Sequence, residues 1–117
     1  MKYSPDYFNE IKKRYPVVAG HFDELARDTA KAGPLDTKSQ DLVKLGVAIG
    51  IGSEGDVQNL ATRALDDGIT PEEIRHAVLL SVTTAGFPVM IVAMQMVEDI
   101  IEARTKKQVL STFGSKG

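Results

Sequence analysis

Chemistry in this chain has few places to start. The stretch "VAIGIGSEGD" (Val47 to Asp56) holds Gly50-x-Gly52-x-x-Gly55, the letters of a dinucleotide-binding loop, with Glu54 and Asp56 in and beside it. Such a loop cradles phosphates only when a strand precedes it and a helix follows, inside a βαβ unit. Glu54 and Asp56 fall in the first turn of a helix opened by Ser53, where acids favour the positive end of the helix dipole. A carboxylate partly buried there could instead serve as a general acid or base. The histidines are His21 and His76. His76 follows Glu72 and Glu73 at i−4 and i−3, so its ring can sit between carboxylates on an exposed helix face. His21, next to Phe22, reads as a surface or packing residue. The two are not at metal-ligand spacing, and no metal or cofactor is expected. The chain has no cysteine, which removes disulfides, thiolate metal sites and sulfur nucleophiles.

The glycine letters are decided by the element before them. From Asp36, able to cap, Leu42, Leu45 and Ile49 share one helix face with Val43 and Val47 beside them. The segment to Ile51 runs about four turns, too long for an ordinary strand. Gly46 and Gly50 lie on one stripe where another helix could approach closely. Without a strand or a βαβ unit, the glycine letters read as a helix–helix turn. The flanking segments are also helical. Ser4-Pro5-Asp6 starts a short helix carrying Tyr7, Phe8 and Ile11. Val18, Phe22, Leu25, Ala26 and Thr29 recur at helical spacing from Pro16 to Lys31, and Gly33-Pro34 closes that segment. Val57, Leu60, Ala61, Ala64 and Leu65 form an apolar face after Ser53-x-x-Asp56, which approximates a capping box, and Gly68 ends that helix. Thr70-Pro71-Glu72-Glu73 starts another, through Ile74, Val78 and Leu79 to Gly86. Pro88 opens a last helix, apolar almost all round to Val97 and then charged, with a frayed tail over 105–117.

The 117 residues fit one domain, spanning 1–117, an all-α bundle of about six helices. Apolar residues at 43% and charged residues at 26% are a globular balance. A net charge of −2 with interspersed signs gives no footprint for nucleic acid. No segment reads as a signal peptide or a membrane span, so a cytoplasmic protein is the default. Gly86 to Val97 offers more apolar faces than one small subunit can cover, which argues for a homo-oligomer.

"GPLDTKSQDLVKLGVAIGIG" and "ATRALDDGITPEEIRHAVLLSVTTAGFP" resemble the carboxymuconolactone decarboxylase family, which includes alkylhydroperoxidase D-type proteins. The resemblance rests on Leu35-Asp36-Thr37-Lys38 with Leu42, on Ala64-Leu65 through Ile74, and on Ala85 to Pro88. "RYPVVAGHF" is similar to the family's opening helix, and the likeness covers about Tyr15 to Ile101. It implies an all-α subunit that forms a homotrimer or homohexamer, with the pocket near a subunit contact.

The resemblance also places a site, and this chain departs from it. The peroxidase-like branch has Cys-x-x-Cys-x-x-x-His where this chain has Ser53, Asp56 and Leu60, with an acid twelve residues earlier, here Asp41. A Ser hydroxyl and a carboxylate cannot reduce peroxide as a thiol pair does, so thiol peroxidase activity is excluded. The decarboxylase branch commonly has a His at the Leu60 position and another at the Val92 position. Both imidazoles are gone. Asp41, Glu54 and Asp56 remain as candidate catalytic acids, with Ser53, Leu60, Phe87, Met90 and Val92 lining a pocket. Lys38 and Lys44 could offer a counter-charge to an anionic substrate. Two functions follow. One is a cofactor-independent lyase or isomerase acting on a small carboxylated lactone or related acid. The other is a non-catalytic oligomeric module that binds a small molecule or serves assembly. Converging polar groups in the pocket favour the enzyme, and an apolar dead end favours the binder.

Overall fold

The computed structural model describes residues 5–113, and all regular structure among them is helical. The helices are α1 (Pro5–Arg14), α2 (Pro16–Lys31), α3 (Thr37–Gly50), α4 (Glu54–Asp66), α5 (Pro71–Leu80) and α6 (Phe87–Phe113), with a 3₁₀ turn at Ser81–Thr83. Ser4, expected as the cap of α1, lies outside the described residues.

Local chemistry sets most boundaries. Asp36 caps α3 by accepting from the Ser39 backbone N–H at 2.8 Å, and those Ser39 bonds hold its carboxyl below the usual range. Thr70 and Glu73 close a full capping box at the start of α5, behind Pro71 at the first helical position. The α3–α4 turn needs Gly52 at φ +72°, where a side chain would be strained. This turn lets the Ser53 N–H reach back to the Ala48 carbonyl at 3.0 Å. The Gly50-x-Gly52-x-x-Gly55 letters are therefore a turn between helices, with a helix and no strand before them.

Three local expectations are corrected. Ser53 does not cap α4 with its side chain; its hydroxyl donates to Asp56 Oδ2 at 2.7 Å instead. The helix expected to run to Gly86 stops at Leu80. There Ser81-Val82-Thr83-Thr84 follows, and the Ser81 hydroxyl donates to the Val78 carbonyl at 2.6 Å, competing with helical continuation. Finally, α6 continues to Phe113 where a frayed tail was expected from 105. Residues 101–113 hold neither Gly nor Pro, and a Lys106–Glu102 pair of 3.1 Å lies along the helix. Residues 114–117 lie outside the described part.

The core gathers Leu45 and Ile49 of α3, Val57, Ala61 and Ala64 of α4, Ile74 and Val78 of α5, and Met90, Ala93, Val97 and Ile101 of α6. Each fully buried Leu, Ile or Val contributes about 1.5–3 kcal/mol of burial. Charged pairs span the helices around this core: Arg75 with Glu98, Arg104 with Asp66, and Lys38 with Glu73. They join α5 to α6, α6 to α4, and α3 to α5.

The first two helices stand apart from this bundle. α2 packs along α1 and has no buried residue over its 16 positions. Its tie to the bundle lies at its C-terminal end, where the Gln40 amide donates to the Ala30 carbonyl at 3.0 Å and to the Leu35 carbonyl at 2.8 Å. The radius of gyration is 16.1 Å. A compact domain of this length has about 13 Å. The α1–α2 pair is an arm.

Candidate functional site

The end of α3, the start of α4 and the start of α6 enclose a groove of about 290 Å³. Its walls are Ile49, Gly52, Glu54, Val57, Pro88, Val89, Val92, Ala93 and Met96. Glu54 is the one ionisable side chain among them, and no cation lines the groove. A hydrophobic concavity with few polar groups suits a small, largely apolar molecule. Of the other concavities, one lies at the base of the arm and includes Gln40 and Lys44. Another runs along α3 and α5 and includes His76 and Glu73.

The expected site residues divide between places. Val92 and Glu54 meet at the groove. Ser53 and Asp56 are bonded to each other at the head of α4, beside the groove but not among its walls. Leu60 packs against the core, Met90 is buried within it, and Phe87 is largely exposed at the start of α6. These three do not line the groove, because the crossing of α4 and α6 turns Leu60 and Met90 inward and leaves Phe87 outside. Lys38 pairs with Glu73 and Lys44 lies at the arm's base, so neither faces the groove.

Asp41 lies elsewhere. α3 and α4 are joined by a tight turn and run antiparallel, so the beginning of α3 meets the end of α4. Asp41 is the buried charged residue of the described chain, only 3% exposed. It faces Arg63 Nε at 3.9 Å, and Arg63 also reaches Asp67 at 4.0 Å. Burial is the main cause that pushes the Asp41 carboxyl above its usual range. A side-chain contact with Asp67 and its charge add to this, while Arg63 and Lys44 oppose it. Asp41 Oδ2 has no hydrogen-bond partner. Ionised, Asp41 can only accept, and taking up a proton gives it a hydroxyl that can donate. Sequence reasoning singled out Asp41 but missed Arg63 and Asp67; their i,i+4 spacing was the available signal.

His76 shares a concavity with Glu73, and the two carboxylates one turn before it have partners of their own. Glu73 is taken by Thr70 and Lys38, and Glu72 pairs with Arg75 at 3.6 Å. No group of three or more His, Asp or Glu among the described residues could hold a metal ion. No described helix is long and apolar enough to cross a membrane.

This is an all-α protein whose two best-defined features are an apolar groove and, away from it, a buried carboxyl at Asp41. The sequence pattern of the carboxymuconolactone decarboxylase family matches residues 16–99, and the chain belongs to that family. No curated protein matches it.

Proposed function

We propose that this protein is a homo-oligomeric small-molecule binder of the carboxymuconolactone decarboxylase family, a trimer or hexamer, that takes a small, mostly apolar ligand in the α3–α4–α6 groove. The observation that carries this reading is the composition of the walls: Ile49, Val57, Val89, Val92, Ala93 and Met96 with Glu54 as the one charge. A carboxylated lactone would meet a carboxylate there and no cation, which weighs against that substrate class at the groove. A neutral fluorescent amine such as N-phenyl-1-naphthylamine should bind saturably to the native protein. Val92→Asp should weaken that binding at least tenfold while helical content is kept. Equal affinity in the variant removes the groove from this reading.

One observation favours a second reading, a lyase centred on Asp41. A buried carboxyl with an orphan oxygen, beside Arg63, has the chemistry of a group that exchanges a proton with a small carboxylated lactone. This reading expects carbon dioxide release from such a lactone and its loss in Asp41→Asn. Turnover that survives in Asp41→Asn would sink it.

A further inference from the structure

Helix α3 is apolar on two opposite sides. Leu45, Ala48 and Ile49 face the core, while Val43 and Val47, with Ile51 just past the helix end, point away from it and are 54%, 58% and 72% exposed. Gly46 and Gly50 lie beside this outer stripe, and a Cβ placed on either would meet nothing within 4 Å. A second apolar stripe on a helix is normally covered as well. The arm carries a second uncovered stripe: Val18, Phe22 and Leu25, one helical face of α2, each more than half exposed. Glu24 and Asp28 flank the α2 stripe and Lys44 flanks that of α3, all exposed and of opposite sign.

Total surface points the same way. The chain exposes 8462 Å². A compact monomer of its mass, 12.7 kDa, exposes roughly 6,200 Å². The excess of about 2,000 Å² is more than the roughly 800 Å² per partner that a stable interface removes.

We infer that α2 of one copy lies along the Val43–Val47–Ile51 face of α3 in a neighbouring copy. Phe22 and its neighbours are the large residues of this contact, and Gly46 and Gly50 let the two helix axes come close. The inference rests on the homo-oligomeric reading above and names the faces that make it. The occupant is a second copy of this chain, because both stripes are uncovered, their flanking charges are opposite, and the excess exposed area is large enough for a subunit contact.

The absence of cysteine makes the test clean. Single-cysteine variants at Val18, Phe22 and Leu25 are mixed pairwise with variants at Val43, Val47 and Ile51, oxidised mildly, and weighed by mass spectrometry. A disulfide forms only where Cα atoms come within about 7 Å. At least one mixed pair should cross-link tenfold more than Phe22→Cys mixed with Asp99→Cys, a control on the exposed side of α6. A native oligomer by light scattering with no mixed pair above that control overturns the α2–α3 contact but leaves the oligomer. A monomer by light scattering at micromolar concentration overturns both. A Phe22→Cys/Val47→Cys chain that closes a disulfide within itself at high dilution shows α2 folding back on its own α3, and overturns the contact. As a check free of engineered thiols, Val47→Asp should at least halve the mass while helical content stays unchanged. An unaltered mass in that variant counts against the contact.

Discussion

Asp41 behaves unlike an ordinary surface carboxylate because it is buried beside a second acid. Its folded pKa is raised above the unfolded value near 3.8, so folding is linked to holding a proton. The stability it contributes is complete below that unfolded value and is lost as pH rises through the folded one. Asp41→Asn puts an uncharged amide of the same shape in the buried position at every pH. The variant should be more stable than the parent at pH 7 by about 1–2 kcal/mol, the cost of a buried unsatisfied group. It should also lack the parent's loss of stability on leaving the acid range. Urea midpoints from pH 4 to 8 test this, and parallel curves for the two proteins would contradict it. The same scale carries a prediction about thiol peroxidase chemistry. A chain without a thiol should consume no hydroperoxide above a heat-denatured control when a dithiol reductant is supplied, and saturable turnover would falsify this.

The helices depend on a few residues at their ends. Thr70→Ala removes the side-chain half of the α5 capping box, leaving the backbone N–H donation to Glu73, and should cost about 1 kcal/mol, read as a lower urea midpoint with an unchanged slope. Gly52→Ala forces a Cβ into φ +72° and should cost about 1–2 kcal/mol, although nothing crowds that Cβ. Equal midpoints in parent and variant would place the strain elsewhere. These caps are also why the elements were legible in the sequence. Asp36, Gly68 and Thr70-Pro71 mark their boundaries by local chemistry alone, and the match to the family's motifs spans the same segments. The end of α5 was not legible, because hydroxyl residues at 81–84 can either continue a helix or bond back to its carbonyls. The site was legible only in pieces. Val92 and Glu54 come together in the walls of the groove. Leu60 and Met90 turn inward because the rotation of α4 against α6 is set by packing, which periodicity does not encode. The Asp41–Arg63–Asp67 group depends in the same way on the crossing of α3 and α4.

At the level of the whole molecule, the arm divides the protein into a packed bundle and a helix pair with little to hold it. An oligomer that covers the arm stabilises by mass action, so the thermal midpoint should rise with protein concentration. A hundredfold dilution that leaves the midpoint unmoved would mean that the chain unfolds as an independent monomer. The apolar exposure on α2, α3 and the start of α6 makes the isolated subunit prone to aggregation.

The five residues that join the arm to the bundle, Ala32-Gly33-Pro34-Leu35-Asp36, have a consequence for geometry rather than for affinity. Under the proposed contact, each copy offers one face and accepts on a different one, so the joint is directional. The angle at this link then sets the rotation from one copy to the next. Some angles return after two or three steps and give a closed ring; others never return and give an open filament. Pro34 fixes one backbone torsion in that link and Gly33 leaves its own free. Substitutions here would leave both contact faces untouched, yet could change how many subunits make a circle.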